Sequence, residues 1–231
     1  MARDKRDSTE HMASASTQTT KAENAGSIAG LAVADGVAGH SLFHRLTAPG
    51  VAGRDLADTV HALCSVHGRL NALFDEAAQR SVDALDQRWM TAAGDAFQIE
   101  RAYLAHLTAA VGPLPSTPGQ AESDAAFAAQ RHTFDMLARS DRAGCSTGAA
   151  LALVIDWHAF RTILDAAAHR AGTTVTPTQL PTLAEAAAIA AAPGASPGVH
   201  RAMAFGAQQT FAQHRGLCDL IESRAIARDR L

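Results

Sequence analysis

Four side chains able to do chemistry stand where apolar ones would pack better: His67, Glu100, Asp156 and His214. Each falls on or beside the hydrophobic stripe of a long alanine-rich segment with helical spacing. An imidazole on such a seam can ligate a metal or cofactor, or act as a base near neutral pH. It can equally be a core histidine satisfied by one or two hydrogen bonds from a neighbouring helix. Asp156 interrupts the run Ala-Leu-Ala-Leu-Val-Ile-Asp-Trp-His-Ala-Phe, where burial is expected on most sides. An unpaired carboxylate there is costly or takes up a proton, so it requires an arginine, a histidine or a metal. Arg101, Arg131 and Arg161 are candidate partners for Asp156 and Glu100. Such carboxylates are either structural ion pairs, or ligands and acid/base groups with shifted pKa values.

Around this set, Asn71 extends a polar patch one turn beyond His67, and Gln209 and Gln213 add amides to the helix of His214. Buried amides and imidazoles on one bundle helix make a polar lining or a helix–helix hydrogen-bond network. His61 and Asp58 point away from the seam and are expected to be solvated. His132 and His158 are expected at the surface or its boundary.

Specific catalytic patterns are missing. There is no Glu-x-x-His, which a ferritin-like di-metal centre requires on two helices. His-Glu-x-x-His, phosphate-loop, dinucleotide-binding and Gly-x-Ser-x-Gly patterns are absent too. Haem needs only one axial histidine, so the sequence neither establishes nor excludes it. Cys145 and Ser146 stand at a helix start, where a thiolate pKa can fall, but no basic partner is assigned.

Composition narrows the classes further. The net charge is −3 with 19% charged residues, and the basic residues are scattered arginines with only Lys5 and Lys21 as lysines. A nucleic-acid binder would carry a basic face. The three cysteines, Cys64, Cys145 and Cys218, are far apart, odd in number and without a Cys-x-x-Cys, so a reducing compartment is expected. The apolar run Ala149–Ile155 is too short for a bilayer, which needs about 20 residues, and no secretory leader is apparent. A cytoplasmic protein with no membrane span and no nucleic-acid partner is the expectation.

Helices must position the candidate residues. Alanine makes up nearly a quarter of the chain and aromatics only 5%, a composition that favours helix and lacks the runs that mark strands. Residues 1–25 are polar and expected to be disordered, with His11-Met12 reading as a junction ahead of a natural start. Residues 26–52 mix glycine with small apolar groups and hold one short helix around His40–Leu46. From 53 to 231 an all-α bundle of five or six mostly antiparallel helices is expected.

Its first long helix runs from an Asp55 cap to about Gln79, through Leu56, Val60, Leu63, Leu70 and Phe74, with His67 on the seam. Ser81 caps a second helix through Trp89, Phe97, Leu104 and Leu107, with Glu100 on its stripe. The Pro-rich stretch Gly112–Gly119 is a rigid connector, and Thr117-Pro118 opens the next helix. Ser146 or Thr147 caps a helix carrying Leu153, Trp157, Phe160 and Leu164 that stops at Gly172. Thr182-x-x-Glu185 is a capping box, and Ser196-Pro197 opens the last helix through Met203, Phe211, Leu217 and Ile221, which frays among charges.

The phrases GPLPSTPGQAES, GAALALVIDW and AMAFGAQQ followed by QHRGL resemble a family of uncharacterised bacterial alanine-rich helical proteins over roughly residues 30–225. That resemblance implies one module and no known activity. Two readings remain open. One is a bundle whose interior cluster (His67, Glu100, Asp156, His214) binds a small ligand, metal or haem. The other is a structural or interaction protein, self-associating through its alanine-rich helices, whose buried polar residues only fix helix register. Binding or interaction is favoured over catalysis.

Overall fold

A computed structural model describes residues 27–69, 72–81, 83–191 and 196–230. Among the described residues there are nine α-helices, one 3-10 turn and no strand. They are α1 (Ile28–Asp35), α2 (Ser41–Leu46), α3 (Gly53–His67), α4 (Ala72–Arg80), α5 (Ala84–Ala110), α6 (Gln120–Ala138), α7 (Cys145–Ala171), α8 (Leu183–Ala190) and α9 (Pro197–Asp229), with the 3-10 turn at Val37–Gly39 between α1 and α2. Within 26–52, therefore, three short helical elements stand rather than one. Residues 1–26, together with Leu70, Asn71, Val82, 192–195 and Leu231, lie outside the described residues, and so do the expectations for the tail and for Leu70 and Asn71.

The fold is organised around α7. Every residue from Cys145 to Val154 is buried, which is what a helix apolar on all sides requires. The short apolar run noted in the sequence is thus a core helix, and no described helix is long and apolar enough to cross a membrane. The long helices α3, α5, α6 and α9, the short α4 and the α1–α2 segment all pack against it. Its closest neighbour is α9. A Cβ added at Gly148 would lie 1.9 Å from the Met203 carbonyl oxygen, and one at Gly206 would lie 2.0 Å from that of Cys145. The two backbones touch there, and only glycine at both positions permits it.

Local departures from the expected caps have identifiable causes. The long helix expected from Asp55 to Gln79 stops at His67. Gly68 is a weak helix former, and the Arg101 guanidinium donates to the Gly68 carbonyl at 3.1 and 2.7 Å, satisfying an end the helix would otherwise have to continue through. Asp55 sits in the first turn of α3, and Ala52 holds the cap position. Ser81 does not cap α5; its hydroxyl donates back to the Ala77 carbonyl, and Asp83 accepts from the amides of Leu85 and Asp86 instead. Helix α6 begins after Gly119, in the left-handed region, and Thr117 does not cap it; the Thr117 hydroxyl donates to the Pro115 carbonyl at 3.0 Å. Gly144, also left-handed, precedes α7 in place of Ser146 or Thr147. The Thr182–Glu185 capping box and the Ser196 cap with Pro197 at the first helical position are present. The last helix does not fray among its charges but runs to Asp229 with Arg224 and Arg228 buried.

Candidate functional site

His67, Glu100, Asp156 and His214 come from α3, α5, α7 and α9, and all four are buried. They divide into two neighbouring groups. In the first, Asp156 accepts from His214 Nδ1 at 2.7 Å and from the Val37 amide at 2.9 Å. This carboxylate therefore ties α7 to α9 and to the turn that follows α1. Its hold fixes the proton of His214 on Nδ1. The Nε2 of His214 and both ring nitrogens of His67 have no hydrogen-bond partner among the described residues. They are surrounded by aromatic faces instead. The His67 ring centroid lies 5.1 Å from that of His214, 5.2 Å from Phe134 and 5.3 Å from Trp157, and His214 lies 5.2 Å from Phe160. Edge-to-face contacts of this kind let an imidazole act as an aromatic filler, with weak N–H to ring contacts. Burial, and after it the neighbouring His214, holds the pKa of His67 well below the usual histidine range.

The second group is saturated. Arg161 Nη1 donates to both Glu100 oxygens at 2.9 Å, and Trp157 Nε1 donates to Glu100 Oε2 at 3.1 Å. The same guanidinium donates through Nε to Asp165 at 2.7 Å and through Nη2 to the Thr176 carbonyl, and it lies 4.1 Å over the Tyr103 ring. Tyr103 donates to Asp165 at 2.9 Å. Desolvation pulls the Arg161 pKa down, but the hydrogen bonds and charges of Asp165 and Glu100 outweigh it and hold the cation. Of the three arginines anticipated as partners, Arg161 is the one on Glu100. Arg101 and Arg131 instead cap carbonyls at the end of α3.

A third buried polar cluster was not anticipated. Asp58, expected to be solvated, is buried between α3 and α9. Arg224 donates to it from Nε at 3.1 Å and from Nη2 at 2.7 Å, and Arg228 Nη1 donates at 2.6 Å. Arg228 also donates to Asp55 at 2.9 Å and to Thr117 Oγ1 at 3.1 Å, which fastens the proline connector to the last helix. His61 is half-buried, with Nε2 on the Gly112 carbonyl at 2.9 Å. A legible signal existed: Leu217, Ile221, Arg224 and Arg228 continue one stripe at steps of four, three and four.

Donor geometry decides the one group of potential metal ligands found among the described residues, His40, Asp219 and Glu222. His40 Nδ1 accepts from the Leu42 amide at 3.0 Å, so the ring proton sits on Nε2 and is donated to Asp219 at 3.0 Å. Neither nitrogen offers a free lone pair, so the group reads as a helix cap joined to α9.

At least three cavities open at the surface. One, of about 580 Å³, lies between α1, α8 and α9 against Ile155 of α7, and its walls are almost wholly aliphatic. Another, of about 410 Å³, lies on the outer side of α3 and has a polar lining.

Fold and site together define an all-α bundle with a cross-braced polar interior and open cavities at its surface. Residues 32–229 match a family described as a family of unknown function, DUF6975, and the chain belongs to it. No curated protein and no solved structure matches the chain.

Proposed function

We propose that this protein is a binding protein, not an enzyme, which takes a small aliphatic ligand into the cavity between α1, α8 and α9. The observation that carries this is the wall of that cavity. Ile28, Ala32, Ile155, Leu183 and Met203 line it, no phenyl or indole ring does, and the exposed His200 joins the lining. A volume near 580 Å³ falls within the range of about 300–1,000 Å³ common for small-molecule sites. Aliphatic walls without a phenyl or indole ring favour a flexible hydrocarbon chain over a flat aromatic body, and His200 can hydrogen-bond a polar end. Helix α8 buries only Ala186, so this wall is lightly held and can yield to admit a ligand. The unpaired state of Cys64, Cys145 and Cys218 suits the reducing cytoplasm as its place.

The test is uptake of a fluorescent polyene fatty acid, displaced by an unlabelled saturated one. Ala204→Phe and Ala32→Phe should each fill the cavity and weaken uptake by about tenfold or more, with helicity retained. Uptake unchanged in both variants would overturn the reading.

A second reading has its own support. His67 and His214, braced by Asp156 with Glu100 behind Trp157, would hold a small hydrogen-bonding ligand or a metal through three imidazole nitrogens that lack a protein partner. Ring contacts of 5.1–5.5 Å leave no slot for a planar macrocycle, which speaks against haem. Elemental analysis and an absorption spectrum of protein purified without added cofactor decide it. A stoichiometric metal lost in His67→Phe would favour this centre.

A further inference from the structure

The cavity on the outer side of α3 is lined by His61, Cys64, Ser65, Arg69, Thr108 and Arg131. It combines three features: a partly enclosed volume, two guanidinium groups and no carboxylate in its lining. Several arginines elsewhere in the fold stand against acids: Arg45 with Asp55, Arg80 with Glu76, Arg161 with Glu100 and Asp165, and Arg224 and Arg228 with Asp58. Arg69 and Arg131 instead face a common space about 410 Å³ in volume. Arg131 is held in place by donating from Nη1 to the Ser65 carbonyl at 2.6 Å, which aims the rest of its fork. His61 is oriented by the Gly112 carbonyl at 2.9 Å. The C-terminal end of α3 brings about half a negative charge, less than the two guanidinium charges beside it.

We propose that this cavity is a binding site for a small anionic ligand bearing a phosphate-type oxyanion, with Arg69 and Arg131 as its paired donors. Planar guanidinium forks match tetrahedral oxyanions with two parallel hydrogen bonds, and a partly enclosed site strengthens them. The volume exceeds that of a bare phosphate, so the group is carried on a small polar body, a phosphate monoester in chemical class. This site is separate from the aliphatic cavity and does not depend on it.

Cys64 provides the readout, because it is half-buried in this wall while Cys145 and Cys218 are buried in the core. The full chain is labelled with iodoacetamide, a neutral reagent, in rising inorganic phosphate and glycerol phosphate at ionic strength fixed with sodium chloride. In parallel, thermal unfolding is followed in the same series. Saturable protection of Cys64 and a rise in Tm are expected, both absent in chloride alone. Arg69→Gln, an exposed position that should fold normally, should raise the half-protecting concentration and the concentration for half the Tm shift about tenfold, as should Arg131→Gln. Glycerol phosphate outdoing inorganic phosphate supports the monoester class. Equal effects of phosphate on wild type and Arg69→Gln, or protection by chloride at matched ionic strength, would overturn the proposal. If Cys64 proves unreactive, the Tm series alone decides by the same comparison.

Discussion

The polar interior and the aliphatic cavity are opposites in how far their groups are already used. Glu100 accepts three hydrogen bonds from two side chains and Asp58 accepts four from two arginines, all within the protein. Such groups have spent their capacity on neighbouring helices. They fix which helix faces which, and they have little left for a ligand. In the cavity between α1, α8 and α9 the reverse holds. Apolar surface stands open on a thinly held wall, and burying it against a hydrocarbon would be favourable by about 25 cal/mol per Å². Charged residues in a core therefore direct attention away from the place where binding capacity remains. The His67–His214 pair is intermediate, being enclosed but incompletely hydrogen-bonded.

The contrast breaks most sharply at Asp58. Asp58→Ala leaves two guanidinium groups buried without a counter-charge and should cost about 3–5 kcal/mol in denaturant unfolding. Replacing Asp58, Arg224 and Arg228 together by apolar residues of similar size should restore stability, as expected for a scaffold and not for a ligand site. Next in size is the crossing of α7 and α9. Gly206→Ala places a methyl 2.0 Å from the Cys145 carbonyl and should cost about 1–3 kcal/mol, whereas Gly216→Ala on the same helix, with 3.7 Å to its nearest neighbour, should be neutral or stabilising. Equal effects of the two would show that the helices are not in backbone contact.

His67 supplies a pH signature. Its folded-state pKa is depressed by burial and by His214, so below about pH 6.5 the unfolded chain takes up a proton that the folded chain refuses. The unfolded state then binds more protons, and stability falls with falling pH, approaching about 1.4 kcal/mol per pH unit from this group until the folded pKa is reached. Above pH 6.5 both states are neutral and the contribution is flat. In His67→Phe the acid slope between pH 6.5 and 5 should shrink by that amount, read from urea unfolding at a series of pH values. An unchanged slope would mean that His67 is charged or solvated in the folded protein.

Periodicity made the core legible. Leu56, Val60, Leu63, Phe97, Leu104, Trp157, Phe160, Phe211 and Ile221 are all buried, because a 3.6-residue repeat of large apolar groups has no other use in a helix. The same stripe located Glu100, Asp156, His67 and His214 in the interior. Who pairs with whom was not legible, since Asp58 and Arg224 are 166 residues apart and no local rule links them. Capping rules held at Thr182 and Ser196, and failed at Ser81, whose hydroxyl turns back to the Ala77 carbonyl. They failed also at Thr117, whose hydroxyl donates to the Pro115 carbonyl and accepts from Arg228. The split after His67 also lay beyond periodicity, since the apolar stripe continues across Gly68 while the Arg101 guanidinium takes its carbonyl. The aliphatic cavity had no sequence signal at all: its wall residues read as ordinary core, and only their arrangement leaves them open.

The smallest expected change in stability accompanies the largest expected change in binding. Ala204→Phe lies in the cavity wall away from the buried polar clusters, and should shift unfolding by no more than about 0.5 kcal/mol. The most direct measurement is titration of this variant and of wild type, side by side, with the fluorescent fatty acid and its unlabelled competitor. Saturable, competable uptake by wild type that is lost in Ala204→Phe is the predicted result. No competable uptake by wild type, or uptake equal in both proteins, would contradict the account.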